Sequence, residues 1–242
     1  MSGSIRNTVR NTISAADPRF VFGSITLSLV VLVFGTVYAP LFLHRYIHMV
    51  VGIMWTTTNI FIAFIIGPVL RQMDENSQVN FFRQFTPKVV FLLPMLLILA
   101  ISIGLPLAIQ MRLFTHPIPW LALLFFVNVT GILLIFGWRF NAWTDRRWQT
   151  PFVLLVLLSL IGVGMTIRQF QMTTTNMTLT LIDGTLLILN GLGLILANNL
   201  RVCSELFSNK PNTSIIVGLA LQNTVLARVQ IFLQLVIIIS VL

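Results

Sequence analysis

Seven apolar blocks separated by short polar connections leave this chain few ways to fold: 20–38, 43–70, 89–110, 120–137, 152–167, 179–197, and a last one within 215–242. A helix crossing a hydrocarbon core needs about 20 mostly apolar residues. In lipid, a single helix can satisfy its own backbone polar groups, and a lone strand cannot. The blocks therefore predict an all-α fold, a polytopic transmembrane helical bundle of seven spans. Charged residues make up only 9% of the chain, against about a quarter in a soluble domain, so the lipid bilayer is the expected surrounding. Pro40, Pro87, Pro117, Pro119, Pro151 and Pro211 read as turn-formers between the spans. Residues 1–19 form a tail ahead of a single transmembrane domain, 20–242.

The basic residues test the count. Arg6, Arg10 and Arg19 precede the first span, and Arg45 alone follows it. Arg71, Arg83 and Lys88 come next, then Arg112 alone. Arg139, Arg146 and Arg147 fill the fourth connection, Arg168 the fifth, and Arg201 with Lys210 the sixth. Eleven of the fifteen basic residues thus fall on one side, three on the other, and Arg228 is left over. This alternation predicts seven spans with the N-terminus inside and the C-terminus outside, by the positive-inside rule. The expected setting is a prokaryotic plasma (inner) membrane. Topology also accounts for the net charge of +9, because residues that grip a nucleic acid gather on one face or in a run. No nucleic-acid partner is expected. A lone Cys203 excludes an internal disulfide framework and a thiolate metal site.

Both ends carry further pattern. Ile5, Val9 and Ile13 recur at helical spacing beside Arg6 and Arg10, which suits either an amphipathic helix on an anionic leaflet or a frayed terminus. In the last block Arg228 is expected to snorkel to the inner interface or to pair with Glu205. Asn223, Gln230 and Gln234 share a stripe there, and amides of this kind hold neighbouring helices together in lipid. The connection W-R-F-N-A-W-T-D-R-R-W (138–148) reads as an interfacial anchor built on Trp138, Trp143, Arg146, Arg147 and Trp148.

Ionisable groups within a membrane are costly and mark function by default. With the topology above, His44, His48, His116 and Asp183 all fall in or near the outer leaflet. His44 and His48 are four apart and share a helix face. That spacing lets two imidazoles chelate one ion, and His116, Met49 or Met111 would complete a set suited to copper. It also prevents both from being the two axial ligands of one haem, although either can be a single axial ligand. The alternative is a pair of solvated interfacial histidines, hydrogen-bonded and nothing more. Asp183 has two readings as well: a proton or hydrogen-bond partner, or a carboxylate favoured by the dipole at a helix start. Pro94, Gly104 and Pro106 in the third span predict a bend. No P-loop, nucleophile elbow or carboxylate pair is present, and no reaction is assigned.

The stretch R-Y-I-H-M-V-V-G-I-M-W (45–55), with Gly67-Pro68 after it, resembles the opening of CopD/HemJ-like membrane proteins. The segment F-F-R-Q-F-T-P-K (81–88), leading to Gly104, is similar to their next one. The resemblance covers about 45–110. It implies that His48 occupies the place of the family histidine that binds metal or haem near the membrane surface. Two departures stand out: Thr56, Thr57 and Thr58 follow Trp55 where that family has a small residue, and the later spans hold no second intramembrane histidine. The leading expectation is thus a membrane protein binding copper or haem b through His48, with His44 and His116 in support, for metal handling or electron transfer. The alternative is a non-catalytic subunit packed against other membrane protein subunits of a respiratory or oxidase-like complex.

Overall fold

The computed structural model describes residues 10–241, with side chains as far as Ile239, so Ile5, Arg6 and Val9 of the tail lie outside the described residues. Seven helices are long and apolar enough to cross a membrane: α1 (Pro18–Tyr38), α2 (Leu41–Arg71), α3 (Glu75–Gln110), α4 (Pro117–Arg139), α5 (Arg146–Gln169), α6 (Thr175–Leu206) and α7 (Thr213–Ile239). No strand occurs among the described residues. The chain is an all-α, seven-span integral membrane protein.

Local chemistry sets the helix starts. The first N–H groups of a helix have no partner within it, and a short polar side chain at the cap supplies one. Asp17 accepts from the Arg19 amide at 2.9 Å, and Pro18 opens α1. Asp74 accepts from the Ser77 amide at 3.0 Å ahead of α3. Asp145 accepts from the Arg147 amide at 2.9 Å, Thr174 from Met177 at 3.3 Å, and Asn212 from Ile215 at 3.1 Å. Pro40 precedes α2 and Pro117 opens α4, where no N–H is needed.

Several boundaries differ from the sequence expectation. Helix α3 is unbroken over 36 residues, about 54 Å at 1.5 Å per residue, against a hydrocarbon core of about 30 Å. Arg83, Pro87 and Lys88 are therefore helical and not in a loop. The face that carries Val79, Phe82 and Thr86 is buried, which holds this segment in helix despite its polar residues. Pro151 likewise lies inside α5. Helix α6 begins at Thr175, ahead of the first residue of its apolar block, because Thr174 caps it. The last block is one continuous helix, Thr213–Val241. Three spans contain a π-helical stretch, Phe34–Tyr38, Phe61–Ile66 and Leu189–Ile195.

The chain divides into two compact units, one of α1, α2, α3 up to Gly104 and 198–231, the other of 105–197 and 232 onward. In the first unit, Leu70, Val79, Phe82, Val202, Leu206, Ile216 and Ala220 form one buried cluster. Gln78 fastens the α2–α3 turn beside it, donating to the carbonyls of Leu70 at 2.7 Å and Met73 at 3.0 Å. The α2–α3 and α6–α7 connections thus lie at the same end of this unit, as alternating loop charge requires. In the short helical segment 10–15, Thr12 is buried and hydrogen-bonds with buried Cys203. In the second unit, Phe114, Met177 and Leu181 form the core, and the Trp120 indole donates to the Gln171 carbonyl at 2.9 Å.

Candidate functional site

His44 and His48 project from one face of α2 onto α3. The spacing that put both rings on one face also lets them meet carbonyls nearly one turn apart on an antiparallel neighbour. His44, fully buried, places Nε2 3.0 Å from the Ile103 carbonyl oxygen. A carbonyl only accepts, so Nε2 carries the proton and has no lone pair to offer a metal. His48 donates to the Ala100 carbonyl, and its Nδ1 is enclosed with no hydrogen-bond partner. Gly104 makes room for the second ring. Pro106 lacks an N–H and crowds the turn before it, which is where His44 supplies a donor.

This contact does not use the surface an interfacial, solvated pair would need. The pair is buried between helices, and the solvated reading of the two histidines is corrected accordingly. His116 is exposed at the start of α4, in a left-handed backbone conformation with φ 49°. Met49 is half exposed on α2. Among the described residues no group of three or more His, Cys, Asp or Glu side chains is placed to hold a metal ion. A three-donor copper site does not fit this donor set. A single donor, Nδ1 of His48, fits one bond to a metal or haem iron, with the Ala100 carbonyl behind it in the supporting role that metal-bound histidines commonly have. An ion reaching that enclosed atom requires α2 and α3 to part.

Asp183 is only 6% exposed, and its Oδ2 has no hydrogen-bond partner. Since α6 starts at Thr175, Asp183 lies in the third turn, beyond the first turn in which a helix dipole acts. The helix-start explanation of this carboxyl therefore fails, and a proton or hydrogen-bond role for it stands unopposed by that reading. Asn190, two turns on, is buried in the π-helical stretch of α6.

An amide cluster joins α6 to α7. Asn198 donates to Asn223 at 2.8 Å and to Gln222 at 3.3 Å, while Asn223 donates to Asn199 at 2.7 Å. Asn223 belongs to the stripe singled out above. Its partners were missed, although the adjacent pair Asn198-Asn199 inside an apolar block is a visible signal. Buried Asn59 on α2 was missed too. Arg228 does not pair with Glu205, which Arg201 holds at 2.9 Å one turn away. Its guanidinium lies 5.6 Å from the centre of the Phe64 ring.

The 138–148 connection is only partly an anchor. Trp138 is 64% exposed, with the Arg139 guanidinium 5.1 Å from its ring, and Arg146 and Arg147 are exposed. Trp143 instead folds back over Gly137 and meets Phe152 edge-on at 5.7 Å. Trp148 is half-buried.

No protein-family model, curated protein or solved structure matches the chain.

Proposed function

We propose that this chain is a non-catalytic subunit of a larger membrane complex, a helical scaffold whose inward polar groups hold its own spans together. The observation that carries this reading is the fully buried bond from His44 Nε2 to the Ile103 carbonyl at 3.0 Å. It engages, as a helix tie, the residue that a copper chelate would need. The amides of Asn198, Asn199, Gln222 and Asn223 are engaged in the same way. An ion transporter would instead present several polar groups to a path. Loop charge supports a prokaryotic plasma membrane with the N-terminal end inside.

A second reading follows from one specific atom. The enclosed, unpartnered Nδ1 of His48 favours a single bond to haem b or copper, in line with the resemblance of 45–110 to CopD/HemJ-like proteins. Purification from native membranes in mild detergent separates the two. The scaffold reading expects membrane proteins at fixed stoichiometry, with no Soret band and no stoichiometric copper. A Soret band or stoichiometric copper that His48→Ala abolishes would overturn it in favour of the second.

A further inference from the structure

Helix α7 has two faces of opposite character. Asn223, Ala227, Gln230 and Gln234 are buried on one. Val225, Phe232, Leu235 and Ile239 are exposed on the other, at 46%, 66%, 49% and 73%. At 100° per residue Arg228 falls within the exposed stripe, about 60° or less from each of those four. The Phe64 ring beneath its guanidinium is itself 57% exposed. The one charged side chain on this face therefore borders the surface that α7 turns away from its own chain.

Its depth makes that placement expensive in lipid. Arg228 lies about 22 Å along the axis from Thr213 and about 16 Å from Ile239, at 1.5 Å per residue. Half of a hydrocarbon core is about 15 Å. A guanidinium at mid-span is too far from either headgroup layer to be solvated fully by snorkelling. A ring attracts a cation without neutralising it. Arg228 makes no ion pair with a described residue, and its Nε is enclosed without a partner.

The chain cannot supply the missing charge from another copy of itself. Its acids are Asp17, Asp74, Glu75, Asp145, Asp183 and Glu205. Asp17, Asp74 and Asp145 cap helices, Glu75 opens α3, Glu205 is held by Arg201 near the end of α6, and Asp183 is buried within its own unit. We infer that the exposed face of α7 around Arg228 docks a transmembrane helix of a different subunit, one that carries an Asp or Glu at mid-span. This rests on the scaffold reading and names the chemistry of its partner. The apolar residues above and below Arg228 give the partner helix its packing, and the Arg–carboxylate pair sets its register and depth.

The test uses the full, tagged chain expressed in its native membranes and solubilised in mild detergent. Arg228→Lys should retain at least half of the co-purifying partner, Arg228→Gln should lose it at least tenfold, and Arg228→Glu should lose it entirely. The partner should carry a mid-span carboxylate, and its change to the amide should reproduce the loss while leaving this chain untouched. Placing Arg there should restore the complex with Arg228→Glu. If Arg228→Gln keeps the partner at the wild-type level, or the partner has no mid-span acid, the inference is overturned and the scaffold reading survives. If the wild type retains no membrane protein, both fall.

Discussion

A β-carbon at Gly104 would stand 2.6 Å from His48 Cε1, so α2 and α3 meet here through a ring laid against bare backbone. The ring cannot retreat without giving up the Ala100 carbonyl. Gly104→Ala is therefore expected to destabilise the chain by about 1–3 kcal/mol, although alanine is the better helix former. In a double-mutant cycle read by thermal melting in detergent, His48→Ala should recover most of that loss. Strictly additive effects would show that the ring and Gly104 are not coupled.

The amide cluster gives a second expectation. Asn223→Leu removes one donor and one acceptor and strands Asn198 and Asn199 in an apolar setting. Interhelical bonds in membranes are worth about 0.6–2 kcal/mol each, so a loss of about 1–3 kcal/mol is expected. Val225→Leu, on the exposed face of the same helix, should change stability little. Equal effects of the two on the unfolding midpoint in mixed micelles would contradict the assignment of faces.

Asp74 supplies a pH dependence. The hydroxyl of Ser77, 2.6 Å from Oδ2, and then the Ser77 amide hold this carboxyl below its usual range. A depressed carboxyl contributes stability that is complete above the unfolded value of about 3.9 and disappears as pH falls through the native value. Asp74→Ala should lower the melting temperature by a few degrees at pH 7, with the gap to wild type constant down to about pH 5 and closing below about pH 4. A gap that persists undiminished at pH 2 would mean that charge plays no part.

Topology is checked with cysteines placed at Asn76, Thr144 and Thr115, all exposed. The first two should react with an impermeant reagent from the inner side, and the third from the outer side. Native Cys203 is fully buried and should stay silent. Reaction of Thr115→Cys together with Asn76→Cys from one side would break the seven-span order.

The number of spans was legible because a membrane helix announces itself by twenty apolar residues in a row, and because loop charge alternates. Helix ends were less so. Arg83, Pro87 and Lys88 look like a loop by composition, and only the buried face of Val79, Phe82 and Thr86 shows that α3 already runs through them. The shared face of His44 and His48 could be read from their spacing. Their partners could not, since the acceptors are the carbonyls of Ile103 and Ala100, and a backbone acceptor leaves no trace in residue type. Arg228 stood out by its charge, yet its outward direction emerges only once Asn223 is known to face Asn198 and Asn199.

The unbroken run of α3 has a mechanical consequence. Because the same rod carries the Gln78 turn at one end and the Gly104 contact far along it, with no joint other than the bends at Pro87, Pro94 and Pro106, a torque applied where it emerges from the bilayer is felt at the histidines. The helix is a lever whose fulcrum lies in the lipid.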